Sequence, residues 1–281
     1  MQATRVAVQT FDHFAYPVDA LVDAERFYTE VLEMPIHERR GLRVADVIRG
    51  TLPRTFMDVD GHRIGLFLGR EPLPPAAGLD GCPSVGLEVT AAALRRIAAR
   101  LPGEGVPFAP PAPRAGVGPA AVALRLQDPC GNHLELVERD EEPDAPGSPY
   151  RGISHLELEA TDLACAEAFY TRALGLEVAA RGQGALGEPT LGLRVPSGQW
   201  LILHETAALH PRSSAGYRFE GQHYAFFATQ ELLPLIAEAI VREQGTMDAL
   251  EQTQVRSESS QGYYFTDPDG NPLQAQTPDA E

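Results

Sequence analysis

Two histidines, His13 and His155, occupy equivalent positions in a pattern that occurs twice along the chain. Each lies in a short strand-like stretch, and a helix-like segment containing a Phe-Tyr pair follows it. The same interval of 142 residues separates His13 from His155 and Tyr28 from Tyr170. Imidazole can bind a divalent metal ion or transfer a proton near neutral pH. The chain is therefore an internal duplication that presents two matched histidines suited to such chemistry.

These histidines must be positioned by four units, each with the order β-α-β-β-β. Alternating apolar residues predict the strands, apolar residues at helical spacing predict the helices, and Gly-, Pro- and Asp-rich turns separate them. In the first unit the later strands are predicted near residues 44–48, 55–59 and 64–68. The second and fourth units close with Asp-Pro-x-Gly-Asn, at residues 128–132 and 267–271.

A charged stretch that contains several prolines separates the second unit from the third. Such stretches are typical of domain boundaries. We therefore predict an N-terminal domain over residues 1–139, a linker over residues 140–149 and a C-terminal domain over residues 150–281. Each predicted domain has an ordinary size for one hydrophobic core.

Composition excludes several classes of protein. The 281 residues are 43% hydrophobic and 22% charged, which is typical of a globular protein. A formal charge of −16 would repel phosphate backbones, so we expect no nucleic-acid partner. No apolar run is long enough for a membrane span. Three well-separated cysteines argue against a disulfide framework and suit a reducing compartment, so we expect a cytoplasmic protein. A homodimer is a separate possibility that composition does not decide.

The four units, the strand histidines and the closing Asp-Pro-x-Gly-Asn turns together resemble the vicinal oxygen chelate superfamily. That superfamily includes glyoxalase I, extradiol ring-cleaving dioxygenases, fosfomycin-resistance transferases and metal-free bleomycin-binding proteins. The resemblance covers nearly the whole chain and implies an α+β fold in which four βαβββ units form two tandem cup-shaped domains. Because the superfamily hosts several reaction types, the fold alone does not fix the chemistry.

In the superfamily, residues on the first and last strands of paired units hold a metal ion inside the cup. Carried over by position, the resemblance implies two ligand sets, namely His13, Ser84 and Glu135 in the first half and His155, His223 and Gln274 in the second. Serine replaces a histidine in the first set, and glutamine replaces a carboxylate in the second. Glyoxalase I uses an additional carboxylate, and the corresponding positions here are Gly65 and Ile202, which disfavours that activity.

We predict that His155, His223 and Gln274 hold the metal, because an amide oxygen can still coordinate whereas serine is a poor ligand. Tyr264 lies before Gln274 at the spacing found in ring-cleaving dioxygenases, and the resemblance implies that it hydrogen-bonds a substrate hydroxyl. The acid/base histidine expected upstream of Tyr264 is absent, and His204 is predicted to substitute for it, with His210 as the alternative.

The pairing of the units stays open, because related proteins exchange partners between domains or subunits. Since His13 and His155 are equivalent, an exchange would still give one His-His-Gln set and one His-Ser-Glu set.

The leading hypothesis is a metal-dependent oxidoreductase, similar to an extradiol dioxygenase, that acts on a small aromatic molecule with adjacent oxygens. A face of two histidines and one carboxylate is typical of non-heme Fe(II), and the predicted set keeps the histidines but has an amide oxygen in place of the carboxylate. We therefore predict Fe(II) as the cofactor, with Mn(II) or no metal as alternatives. Two other hypotheses remain open at this point. One is a metal-free protein that sequesters a drug or metabolite, and the other is a non-oxidative metal isomerase, lyase or transferase.

Overall fold

The structure is a computed structural model, and it describes residues 7–44, 48, 52–69, 78–114, 116–139, 148–210, 222–247, 255–256 and 261–278. Most of the predicted linker, residues 140–147, lies outside these ranges. No helix in the described part of the chain is long and apolar enough to cross a membrane.

Four βαβββ units follow one another along the chain, as predicted. The first unit comprises β1 (Thr10–Val18), α1 (Leu21–Arg26) with a π-helical turn (Phe27–Val31), β2 (Ile36–Arg40), β3 (Arg54–Val59) and β4 (His62–Leu68). The second comprises β5 (Ser84–Thr90), α2 (Ala91–Arg100) with a 3₁₀ turn (Leu101–Gly103), β6 (Ala112–Pro113), β7 (Val122–Gln127) and β8 (His133–Arg139).

The second half repeats this plan. The third unit comprises β9 (Tyr150–Ala160), α3 (Leu163–Ala173), β10 (Glu177–Gln183), β11 (Pro189–Arg194) and β12 (Trp200–Glu205). The fourth comprises β13 (His223–Phe227), α4 (Leu233–Arg242), β14 (Thr246–Met247), β15 (Val255–Arg256), β16 (Gln261–Thr266) and β17 (Pro272–Gln276).

The strands form two sheets, and each sheet combines one unit from each half of the chain. The first sheet has the order β14-β16-β17-β13-β1-β4-β3-β2, with β15 paired to β16, so it joins units one and four. The second sheet has the order β10-β11-β12-β9-β5-β8-β7-β6 and joins units three and two. The repeat therefore divides the sequence into halves, but the halves do not coincide with the sheets. The predicted boundary at residues 140–149 stays a prediction about the repeat.

Within each unit the first strand pairs in parallel with the last, and the first strands of partner units pair antiparallel at the middle of the sheet. The pair β1–β13 joins the first sheet, and the pair β5–β9 joins the second. The centre of each sheet therefore brings side chains from two distant parts of the chain onto one face, which we call the cup. The first cup carries His13 and His223, and the second carries His155 and Glu135.

The repeated tyrosines and Asp-Pro-x-Gly-Asn turns connect the two sheets. The Tyr28 hydroxyl donates to Asp128 at 3.1 Å, and the Tyr170 hydroxyl donates to Asp267 at 2.8 Å. Each aspartate also accepts backbone N–H groups of its own turn, including that of the closing asparagine at 2.8 Å. Buried polar groups with several partners define one geometry. These repeated motifs are therefore architectural, and they lie apart from the histidines.

The other face of both sheets packs into one continuous hydrophobic core. Phe11 and Phe14 of β1 lie there, with ring centroids 4.9 Å from Phe226 and 5.4 Å from Tyr224 respectively. Burying each ring stabilises the folded state by roughly 1.5–3 kcal/mol, so this core holds the strands that carry the histidines in place.

Candidate metal centre in the first cup and its counterpart in the second

The first cup brings two histidine nitrogens together. The Nε2 atoms of His13 and His223 are 3.0 Å apart, and the exposed fractions of the two residues are 7% and 1%. The two imidazoles come from adjacent antiparallel strands, β1 and β13, and their rings are nearly perpendicular. Two imidazole nitrogens that point at one another in a buried site are an arrangement suited to sharing one metal ion.

An irregularity in β1 aims the first of these histidines. The pairing of β1 with β13 shifts register between Phe11 and Phe14, both of which face the core. The two intervening residues, Asp12 and His13, make a side-chain contact, Asp12 Oδ2 lying 2.6 Å from His13 Nδ1. A carboxylate only accepts hydrogen bonds, so Nδ1 carries the proton and Nε2 presents its lone pair toward His223. Bulges of this kind commonly re-aim side chains at functional sites.

Asp12 is held in its charged form by two side chains that contact it. Burial opposes its ionisation, but His13 and the Arg63 guanidinium, 3.0 Å away, together lower the pKa of Asp12 to about 2. A carboxylate behind a ligating histidine fixes the tautomer and makes the other nitrogen a better ligand. Asp12 therefore holds His13 in the tautomer whose Nε2 could serve as a metal ligand.

Gln274 lies on the same face of the first sheet. It pairs in register with Ala225 of β13, two residues beyond His223, and strand side chains alternate with period two. Its Nε2 donates to Gln276 Oε1 at 2.9 Å. Its Oε1 is buried and has no hydrogen-bond partner among the described residues. A buried carbonyl oxygen left without a partner costs free energy unless a ligand completes it.

Aromatic rings surround the two histidines. The rings of Phe67 and Tyr264 lie 5.7 and 5.1 Å from His223, and Phe56 lies 6.1 Å from His13. A side chain at Gly65 would collide with Phe67 and Phe56, since a Cβ there comes within 2.5 Å and 3.0 Å of their rings. The position where glyoxalase I has its extra carboxylate is therefore filled by the aromatic wall.

The second cup contains a cation of its own. The buried guanidinium of Arg114 donates from Nε to Glu135 Oε2 at 2.9 Å, and from its other nitrogens to Glu157 and to the carbonyl oxygen of Val117. His155 Nε2 also lies 2.8 Å from Glu135 Oε2. Two carboxylates and a histidine thus meet around an arginine.

The charges of the second cup compensate one another. Burial opposes the ionisation of Glu157, but His204, His155 and Arg114 outweigh it and lower the pKa of Glu157 to about 2. His204 receives the reciprocal effect: burial disfavours its charge, while Glu157 and Glu188 raise its pKa. The space beside Arg114 measures about 40 Å³, which is room for a few water molecules.

Glycine allows the second cup to close around His155. A Cβ at Gly86 would lie 2.0 Å from the His155 ring, so the imidazole packs directly on the backbone of β5. Gly86 pairs with both His155 and Glu135 in the sheet, which explains how these two side chains meet.

Both cups contain groups that could hold a metal. In the second, Glu135, His155 and Glu157 each place a ligand atom within 4.8 Å of the other two, and so do Cys82, Glu157 and His204. Arg114 already neutralises the shared carboxylates there. In the first, two imidazoles and an amide oxygen without a partner among the described residues form a donor set that suits a divalent ion such as Fe(II).

The structure assembles part of the ligand set that the sequence predicts. His223 and Gln274 share the first cup, but His155 lies in the second sheet, and His13 takes its place because units one and four are partners. His204 also lies in the second sheet, on β12, away from Tyr264 on β16. The groupings expected from exchanged units are the ones that share a sheet: His13, His223 and Gln274 lie in the first, and Ser84, Glu135 and His155 lie in the second. Their role as metal ligands stays a prediction.

Sequence reasoning missed three residues of the two cups. Asp12 was visible as the neighbour of His13, and Gln276 follows Gln274 at the period-two spacing of a strand face. Arg114 lies in a Pro- and Gly-rich stretch with no periodic pattern, so no signal in the sequence placed it in the second cup.

Comparison with known proteins agrees with this architecture. The family model for the glyoxalase/bleomycin resistance protein/dioxygenase superfamily matches residues 10–136 and 152–275. The chain belongs to this superfamily. Its two matched segments correspond to the two halves of the repeat. No curated protein gave a significant match to the sequence.

Solved structures of superfamily members share the fold. A Bacillus subtilis protein provisionally described as a dioxygenase superposes with a TM-score of 0.73 at 16% identity, over 98% of this chain and 86% of its own. Glyoxalase I from Zea mays superposes with a TM-score of 0.69 at 18% identity, over 95% of this chain and 92% of its own. At this level of identity the likeness concerns the fold.

Proposed function

We propose that this superfamily member is a metal-dependent oxidoreductase of the extradiol-dioxygenase type, with its metal centre in the first cup. His13, His223 and Gln274 would hold a divalent ion, most suitably Fe(II). The observation that carries the proposal is the pair of imidazole Nε2 atoms 3.0 Å apart, on the same face as a buried amide oxygen that lacks a partner among the described residues.

The residues of the first cup have separate tasks in this proposal. When bound, the ion would supply Lewis acidity, which lowers the pKa of a substrate hydroxyl. Asp12 keeps the proton of His13 on Nδ1, so that Nε2 stays available. Phe56 and Phe67 would pack against an aromatic ring and exclude water. Tyr264, beside His223, would orient a substrate hydroxyl by a hydrogen bond.

The aromatic rings around the two histidines support a class of substrate. The rings of Phe56, Phe67 and Tyr264 surround the two histidines and support a flat aromatic molecule, since aromatic rings favour edge and offset contacts with one another. Adjacent oxygens on that molecule would reach the ion together. We therefore propose a small aromatic with vicinal oxygens as the substrate.

The test is anaerobic loading with Fe(II), followed by elemental analysis and by oxygen uptake with a panel of catechols. The proposal requires about one iron per chain and oxygen consumption that stops on chelation. Metal binding without oxygen uptake would instead indicate a non-oxidative metal enzyme. Ligand binding that survives both chelation and the double change His13→Ala/His223→Ala would indicate a metal-free binding protein.

A further inference from the structure

The amide of Gln276 links the two sides of the first cup. Its Nε2 donates to Asp12 Oδ2, and its Oε1 accepts from Gln274 Nε2 at 2.9 Å. Asp12 Oδ2 also accepts from His13 Nδ1 at 2.6 Å. One carboxylate oxygen therefore contacts one proposed ligand directly and a second through Gln276.

The chemistry of these groups leaves only one orientation of each amide. Asp12 is paired with the Arg63 guanidinium and can only accept, so Gln276 must turn its NH₂ toward Asp12. The carbonyl of Gln276 then faces Gln274 and can only accept, so Gln274 must turn its own NH₂ toward Gln276. The atom of Gln274 that remains is Oε1.

The direction of this series of hydrogen bonds matters because the two ends of an amide differ as metal ligands. A carbonyl oxygen can bind a hard or borderline cation, whereas an amide NH₂ is a donor with no lone pair to offer. A reversed Gln274 would present N–H groups to the ion. A carboxylate at this position would have an oxygen at both ends.

We propose that Gln276 is a positioning residue that turns the carbonyl oxygen of Gln274 toward the metal. Asp12 fixes the orientation of Gln276 by accepting a hydrogen bond from its NH₂ group. This inference rests on the proposed metal centre of the first cup. It explains why a glutamine at position 274 remains usable as a ligand and why its partner Gln276 is buried, with an exposed fraction of 6%.

A double-mutant cycle tests the inference by metal affinity alone. The four proteins are the wild type, Gln276→Met, Gln274→Glu and the double variant, each titrated with Co(II) and followed by visible absorption and calorimetry. In the wild-type background Gln276→Met should weaken Co(II) binding about 10- to 100-fold, the usual effect of losing a partner behind a ligand. In the Gln274→Glu background the same change should weaken Co(II) binding less than about 3-fold, because either end of a carboxylate presents an oxygen to the ion.

A matched control separates positioning from general damage. Gln127 is a buried glutamine of the second sheet whose amide bonds Gly78 and His133, so Gln127→Met should leave Co(II) affinity unchanged. If Gln276→Met does not fold, Gln276→Asn replaces it, since the shorter amide cannot reach both neighbours.

The outcomes are distinct. Equal losses in both backgrounds, or no loss in either, would overturn the positioning role while leaving the metal centre intact. Failure of the wild type and of Gln274→Glu to bind Co(II) would overturn the proposed function and this inference with it.

Discussion

In the first cup, the Nε2 atoms of two histidines and a glutamine oxygen lie on one face, and the nearby guanidinium of Arg63 is held behind Asp12. In the second cup, a histidine and two glutamates lie at related positions, and the guanidinium of Arg114 contacts both carboxylates. The two cups arise from the same repeated unit and keep the same strand pairing. The difference teaches that an arginine delivered by a loop can supply, from within the chain, the positive charge that a metal ion would bring to the first cup under the proposed function.

The largest effect should follow removal of that arginine. Arg114→Met frees Glu135, His155 and Glu157, which then bind a divalent ion, raising the metal content from about one to about two per chain. Without metal, the variant should lose about 3–5 kcal/mol of unfolding free energy, because buried carboxylates lose their partner. Mn(II) or Co(II) binding stoichiometry checks the first effect, and chemical denaturation with chelator checks the second.

Arg125→Met is the control for this comparison. Arg125 is partly exposed and lies 3.8 Å from Glu135, so its loss should leave the stoichiometry at one. If Arg114→Met also stays at one metal per chain, the second cup is not a site that Arg114 closes.

Acid should destabilise the second cup over a defined range of pH. The folded pKa of Glu157 is about 2, below the ordinary value of 4.5, so its contribution to stability is complete above pH 4.5 and is lost as the pH falls toward 2. The loss amounts to about 3 kcal/mol at most. Urea unfolding at several pH values measures it. Glu157→Gln should flatten the slope between pH 4.5 and 2, and an unchanged slope would show that Glu157 is not responsible.

A smaller effect should follow the loss of space beside His155. Gly86→Ala introduces a methyl group 2.0 Å from the His155 ring. The ring must then move away from Glu135, which should lower the free energy of unfolding by about 2 kcal/mol. Gly103→Ala is the control, because a Cβ there meets no atom within 4 Å. Thermal denaturation of both variants distinguishes them; similar melting temperatures would mean that His155 is not tightly packed.

The smallest expected effect concerns Gln274 in the first cup. Gln274→Glu adds a negative charge to the ligand set and should tighten divalent-metal binding about 10-fold, which corresponds to about 1.4 kcal/mol. Competition with a coloured chelator measures the change. Unchanged or weaker binding would place residue 274 outside the metal's ligands.

Much of the fold could be predicted because the repeat fixes the order of elements. The units and their closing turns follow from local pattern, but the pairing of units does not, because either arrangement joins equivalent first strands. The strand predicted near residues 44–48 was misplaced: the structure has β2 at Ile36–Arg40, where polar residues alternate at the sheet edge and give little apolar signal. Residues 45–47 lie outside the described ranges.

The candidate site was predictable only in its residue types. His223 and Gln274 follow from the resemblance, while the choice between His13 and His155 depends on which units pair, which is a property of the tertiary structure. His204 was assigned to the same site from sequence, but its strand, β12, belongs to the other sheet. Arg114 could not be found because loop residues reach a cup through chain geometry that carries no periodic pattern.

The most direct measurement of the central claim is the Fe(II) content of His13→Ala and His155→Ala, prepared and loaded in parallel with the wild type. These residues are equivalent in the repeat, so the pair is matched in everything but the cup. The first-cup account predicts about one iron per chain in the wild type and in His155→Ala, and nearly none in His13→Ala. Iron retained by His13→Ala and lost by His155→Ala would contradict it and place the metal in the second cup.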